Sequence, residues 1–291
     1  MPSDILAGGV VFSSEAKKTL TFTFILCFVC ALILSTLSTV LQAPQQKARL
    51  LDQSQQLLLA AQILNYNGSF QIKGEYGTYI PAKFDGKKLV PDTQFSKASS
   101  SDTLSLYREM IHPMLTNDQG DLITFADANI DYETYVKKYQ KKGYADLPEK
   151  LLYVVGDGEG YVISINGFGL WDAIYGYLAI DADADTVIGT TWYSQAETAG
   201  LGANIALPQW QMQFKGKLIF QPSSNGTTDF DRAPLGITVV KGNVVDTLGT
   251  GPKSYSAVDG ISGATLTGKG VTDAFTNSLA PYRPFLLRVR K

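Results

Sequence analysis

The sequence predicts an α+β protein: a single N-terminal transmembrane helix, then an extramembrane domain built on an antiparallel sheet. Three observations carry that expectation. Residues 19–41 (TLTFTFILCFVCALILSTLSTVL) contain no charge. From Leu151 onward, short apolar runs alternate with Gly or Asp turns, too closely spaced for crossover helices. Near the C-terminus, apolar residues recur at helical spacing until Pro281.

Composition narrows the function classes. The chain has 291 residues and a formal net charge of -2, without a basic cluster beside interleaved aromatics, so nucleic acid is not an expected partner. Cys27 and Cys30 are the only cysteines, and both lie in the apolar stretch. The rest of the chain therefore holds no disulfide, thiolate zinc site or iron–sulfur cluster. Cys27-Phe-Val-Cys30 reads as ordinary buried thiols in a hydrophobic helix. The single histidine, His112, is followed by Pro113 and reads as part of a loop, which leaves no Ser-His-Asp triad and no His-rich metal site. No catalytic acid or base and no metal ligand is assigned.

The elements follow in order. Residues 1–18 form a short tail and residues 19–42 the membrane helix, which meets the roughly 20 residues a bilayer crossing needs. A signal peptide has an apolar core of about 7–15 residues, and Ala43-Pro44 is a poor cleavage site, so an uncleaved anchor is expected. Lys17 and Lys18 on one side balance Lys47 and Arg49 on the other, so charge does not set the orientation. A short tail before a large domain favours placing that domain outside.

Residues 43–150 begin with an amphipathic run, Gln45–Leu64, whose leucines share a broad helical face. It reads either as a stalk helix or as a helix joining the domain core. Residues 65–97 read as loop with short strands. Residues 131–142 read as an exposed helix capped by Asp131 and ended by Gly143. Within residues 151–291, strands are expected at 151–155, 161–165, 177–180, 187–192, 217–220 and 237–240. Gly156-Asp157-Gly158-Glu159-Gly160 lacks the Lys-Ser/Thr of a phosphate loop and reads as a hairpin turn. Asp181-Ala182-Asp183-Ala184-Asp185 begins like a calcium loop, but Thr186 and Trp192 stand where Gly and Glu are required. It reads as a solvated turn.

The run Asp259-Gly260-Ile261-Ser262-Gly263-Ala264-Thr265-Leu266-Thr267 leads into the last helical pattern, which continues through Val271, Ala274, Phe275 and Leu279. A helix start offers unpaired N–H groups and partial positive charge to an anionic phosphate. Gly263 and Ala264 leave the approach open, and Thr265 supplies a hydroxyl. Ser-Gly-Ala-Thr alone reads better as a Ser/Thr-rich helix start with no ligand.

The wider pattern Asp-Gly-x-Ser-Gly-Ala-Thr resembles the flavinylation motif found in the C subunit of the sodium-pumping NADH:quinone oxidoreductase and in the G subunit of the related Rnf complex. Gln195-Ala196-Glu197-Thr198-Ala199-Gly200-Leu201-Gly202 is similar to the family's Glu-Thr-Pro-Gly-Leu-Gly element. Ala199 stands there in place of the usual Pro, and Gln195 in place of a common His. Gly167-Phe168-Gly169-Leu170-Trp171 is similar to a Gly-x-Gly-Leu-Trp stretch.

The resemblance implies an FMN-binding region at 151–291, with FMN bound covalently to Thr265 through a phosphoester. It implies that Ser262, Gly263, Ala264, Leu266 and Thr267 surround the attachment, and that a flavin transferase recognises Asp259 and the residues after it. Glu197, Thr198, Gly200, Leu201 and Trp171 become pocket residues, with packing an equal alternative for Trp171. The glycines of both upstream blocks would let backbone approach the flavin. It further implies an electron-transfer subunit of a membrane NADH:quinone reductase, working with the other subunits. That subunit would sit in the bacterial inner membrane with its domain periplasmic, relaying electrons toward quinone without binding NADH or sodium itself. The long segment 65–150 favours the sodium-pump type over the Rnf type. An anchored adaptor that is never flavinylated is the reading from a different class.

Overall fold

A computed structural model describes residues 13–74, 77–139, 144 and 146–290. The chain divides into two units, Met1–Leu50 and Leu51–Lys291. Helix α1 (Ser14–Ala60) runs without interruption, with Pro44 inside it. Its apolar part is long and hydrophobic enough to cross a membrane. Thr19, Thr21, Thr23, Thr36 and Thr39 each donate their hydroxyl to the carbonyl four residues earlier, which satisfies polar groups inside an apolar helix. Cys27 and Cys30 are free and lie on the helix surface. The expectation of buried thiols is thus not met among the described residues.

In the larger unit, the last turns of α1 carry Leu57, Leu58 and Ala60, all fully buried, and Ala61, Ile63 and Leu64 follow them inside. This end of the amphipathic run joins the domain core rather than standing as a stalk. Strands β1 (Phe70–Lys73), β2 (Tyr79–Phe84) and β3 (Leu89–Pro91) form a small antiparallel sheet. Helix α2 (Ser100–Met110) starts at Ser99, whose hydroxyl accepts from the Asp102 N–H at 3.0 Å.

The principal sheet has strand order β5-β4-β6-β7-β8-β9, antiparallel throughout. Its members are β4 (Ile111–Thr116), β5 (Leu122–Ile123), β6 (Lys150–Val155), β7 (Gly160–Phe168), β8 (Ala173–Asp181) and β9 (Val187–Ser194). His112 and Pro113 therefore sit in a strand, not a loop. Proline is tolerated there because β5 pairs only with Leu115 and Thr116, leaving the outer edge of Pro113 without a ladder bond to make. Because β4 pairs with β6, the sheet spans residue 150 without a break.

Helix α3 (Tyr132–Tyr139) is capped as expected, the Asp131 carboxylate accepting from the Thr134 N–H at 2.8 Å. The predicted stop at Gly143 lies outside the described residues.

Strands β6 to β8 are apolar along nearly their whole length because both faces of the sheet are covered. Leu151, Tyr153, Val162, Tyr177 and Ala179 face a core shared with the end of α1 and with α2 and α3. Leu152, Tyr161, Ile163, Leu178 and Ile180 face the C-terminal helices α6 (Thr265–Leu279) and α7 (Arg283–Val289). The Tyr282 hydroxyl ties the second layer to the sheet, donating to the Leu151 carbonyl at 2.6 Å.

Between β9 and α6 the chain forms the short helix α4 (Pro208–Gln211), β10 (Thr238–Val239), α5 (Val244–Leu248) and β11 (Ala257–Val258). Strands β10 and β11 pair in parallel. Residues 217–220 do not form the expected strand. Leu218 and Phe220 make only isolated bridges, to Thr186 and Leu235, while Ile219 and Phe220 are fully buried.

The Gly156–Gly160 turn closes the β6–β7 hairpin, as expected. The Asp181–Asp185 turn is not solvated throughout. Asp185 is buried and accepts from the Phe220 N–H at 2.9 Å and from Arg290 at 3.2 Å. Burial pushes its carboxyl above the ordinary aspartate value.

Candidate functional site at the start of helix α6

After β11 the chain turns at Gly263, whose φ of +74° favours glycine, and enters α6 at Thr265. No side chain caps the helix at Ala264. The first N–H groups of α6 have no partner inside the helix and present its positive end. Thr265, the first helical residue, is exposed, as are Ser262 and Leu266.

Thr267, two residues on, is buried, and its hydroxyl donates to Glu197. Glu197 follows β9 and is only 8% exposed. Its carboxylate also accepts the N–H groups of Leu170 (3.1 Å) and Trp171 (3.0 Å) from the β7–β8 loop. Burial would push its pKa up, but the hydrogen bonds from Thr267, Trp171 and Leu170 outweigh that. The carboxyl is held below the ordinary glutamate range. One buried carboxylate thus joins the three sequence blocks, and the Trp171 indole adds a bond to the Thr198 hydroxyl at 3.0 Å.

Packing makes its own demand on the glycines of these blocks. A Cβ on Gly169 or Gly202 would collide with Glu197, and one on Gly167 would lie 2.6 Å from the Ala274 Cβ. A Cβ on Gly270, within α6, would collide with the Phe168 carbonyl oxygen. Protein atoms already fill these spaces, so the glycines let α6 pack on β7 and let Glu197 reach its donors. Gly200 alone of the expected set faces open space, with φ +76°.

Beside Thr265 lies a cleft of about 980 Å³. Of the sequence-predicted residues, Asp259, Ser262, Gly263, Ala264 and Thr265 line it; Leu266, Thr267, Glu197, Thr198, Gly200, Leu201 and Trp171 do not. Leu201 instead packs against the Gly263 turn. Trp171 (68% exposed), Leu266 (60%) and Phe168 leave a large apolar surface uncovered around the Glu197 junction.

Sequence reasoning missed Lys241, Asn243, Lys269 and Asp273, which complete the cleft. Lys269 and Asp273 stand four and eight residues after Thr265, a spacing that puts them on its face of the helix. Lys241 and Asn243 arrive from the β10–α5 loop and carry no local signal.

This arrangement suits a ligand that carries a phosphate. A free hydroxyl stands at the positive end of a 15-residue helix, on a cleft within the range of about 300–1,000 Å³ that ligand sites occupy.

Residues 169–280 match the family model described as FMN-binding domain. Over 292 residues the chain is 41% identical to the C subunit of Na(+)-translocating NADH-quinone reductase from Chlamydia caviae, covering 93% of this chain and 91% of that one. The chain belongs to the C-subunit family of Na(+)-translocating NADH-quinone reductases. The C subunit of Chlamydia muridarum is 42% identical over 287 residues (91% of this chain, 90% of that one), and that of Haemophilus ducreyi 30% over 277 residues (92% and 93%). The crystal structure of the C subunit from Parabacteroides distasonis superposes with a TM-score of 0.55 at 27% identity, over 84% of this chain and 96% of that one. In this member of the C-subunit family, the matched FMN-binding domain runs from Gly169 to the end of α6, enclosing Glu197, the cleft and Thr265.

Proposed function

We propose that this chain is the electron-transfer subunit of a sodium-pumping NADH:quinone reductase, with FMN joined through its phosphate to the Thr265 hydroxyl. The observation that carries this reading is the exposed Thr265 on the uncapped first turn of α6, at the edge of a cleft large enough for the cofactor. Three hydroxyls stand in the motif. Ser262 lies in the preceding loop, and Thr267 is buried with its proton committed to Glu197. Thr265 is the one that combines exposure with a place in the first turn.

FMN, when bound, supplies the electron transfer. The chain supplies the surroundings. The first-turn N–H groups of α6 would hold the phosphate, with the Lys269 ammonium on the same helix face. Outside the cleft, the exposed Trp171, Leu201 and Leu266 would offer apolar surface to a ring that reaches beyond it. No side chain is assigned a proton-transfer role.

Maturation requires a flavin transferase acting on the loop from Asp259 to Thr267 with flavin adenine dinucleotide as donor. A bond forms between the Thr265 oxygen and the FMN phosphorus, the pyrophosphate bond breaks, and AMP leaves as the threonine proton passes to base. The other subunits of the complex bind NADH and carry sodium, and this one relays electrons toward quinone. Helix α1 anchors it as a single pass in the bacterial inner membrane, with the domain periplasmic.

The test is the intact mass of the full chain made together with a flavin transferase. The unaltered chain is expected to gain the mass of FMN less one water, and Thr265→Ala to gain nothing. An unmodified mass in both would sink the proposal and favour an anchored adaptor.

A further inference from the structure

Asp259 opens the motif, yet its polar groups are engaged within the fold. Its N–H donates to the Gln213 side-chain oxygen at 2.9 Å, and its carbonyl accepts from the Trp210 indole at 2.9 Å. Its carboxylate accepts the N–H of Val244, the first residue of α5, at 2.7 Å. The next residue is held as closely: the Gly260 N–H donates to the Gly242 carbonyl at 2.7 Å, and a Cβ on Gly260 would collide with the Val240 carbonyl oxygen. Residues 240–243 form the far wall of the cleft beside Thr265. Trp210 and Gln213 belong to the segment that packs through Phe214 into the main core.

We infer that Asp259 is a positioning residue that acts on flavin attachment through Val244, rather than a charge the transferase reads. It joins the α4 segment to the start of α5. That fixes both the cleft wall and the loop from which Thr265 emerges. An anionic acceptor at the start of α5 also suits the partial positive charge of that helix end. Without this bond, the presented form of the loop becomes a minority of the population. Attachment then slows in proportion to the fraction lost. The inference rests on the proposed attachment at Thr265.

Two substitutions separate this account from direct recognition. Asp259→Asn removes the charge but keeps an oxygen that can accept from Val244. Val244→Pro leaves the motif intact and removes the donor. Val244 also packs with Val240 and Ala257, so Val244→Ala, which trims that packing but keeps the N–H, is its control and is expected to keep its rate. Proline suits that site because it is the first helical position, and because Asn243 before it is already extended (φ -106°, ψ 157°).

The full chain in detergent micelles, with flavin adenine dinucleotide and a flavin transferase, is followed by intact mass over time. Asp259→Asn is expected to keep kcat/KM within about threefold of the unaltered chain. Asp259→Ala and Val244→Pro are each expected to lose about tenfold or more, the scale of one lost hydrogen bond to a charged group. Near-UV circular dichroism checks that each variant is folded, and if Val244→Pro is not, Asp259→Asn decides alone. An asparagine variant as slow as the alanine variant overturns the inference. So does a folded Val244→Pro variant flavinylated at full rate. No flavin on the unaltered chain would instead overturn the attachment reading beneath it.

Discussion

At the scale of single residues, Glu197 holds the site together. Removing its carboxylate leaves the Thr267 hydroxyl and two backbone N–H groups without their acceptor at a buried junction. Glu197→Ala is expected to cost about 3 kcal/mol, read as a lower urea midpoint at unchanged slope. A loss below about 1 kcal/mol would mean that the junction is not a main support of the fold. The pH dependence follows from its lowered pKa. A carboxyl depressed on folding adds stability that is complete above its unfolded value. That stability fades as pH falls through the folded value. Unaltered protein should therefore lose stability below about pH 4.5 more steeply than Glu197→Gln, the two converging in strong acid. Parallel urea titrations between neutral pH and about pH 3 check this. Thr265 was legible in the sequence because its motif is contiguous and leads into a helix. Lys241 and Asn243 were not, because a loop far from the motif delivers them to the cleft.

Among the elements, the seam between α6 and β7 has the least tolerance. Replacing a glycine inside a helix by alanine ordinarily stabilises by about 1 kcal/mol. At Gly270 the added methyl would strike the Phe168 carbonyl, and α6 would have to lift from β7. Gly270→Ala is expected to destabilise by about 2 kcal/mol or more and to lower flavin content. An increase in the urea midpoint would refute the close packing. The sequence announced α6 and the strands from β6 to β9 through periodicity and turn residues. It concealed β4, because proline and a lone histidine read as loop when the edge position that tolerates them is unknown. It suggested a strand at 217–220, where buried apolar residues occur in a backbone that bridges several neighbours singly. An apolar run reports burial, and only neighbouring strands make it a ladder.

For the whole molecule, the two units predict where the chain can be cut. A chain starting at Leu51 keeps the residues of the larger unit and should give a single cooperative melt. A chain starting at Asn65 loses Leu57, Leu58 and Leu64, each buried to 3% exposure or less. At about 1.5–3 kcal/mol per side chain, their loss rivals the entire stability of a typical domain, about 5–15 kcal/mol. That shorter chain should show no cooperative transition by far-UV circular dichroism. A sharp melt from it would show that the end of α1 is dispensable to the core.

The sequence by itself determined what is local: an apolar helix of bilayer length, a strand-rich region, and a hydroxyl at the start of a helix in a contiguous motif. These features depend on residue type and spacing along the chain, which need no folded context to be read. Tertiary structure alone decided which residues meet. It brought three separated blocks to one buried carboxylate and gave their glycines to packing. It also turned the motif's first aspartate onto the start of α5. Such partnerships join residues far apart in the chain, 70 positions in the case of Thr267 and Glu197. Their energy comes from burial and shared donors, which exist only once the layers have closed.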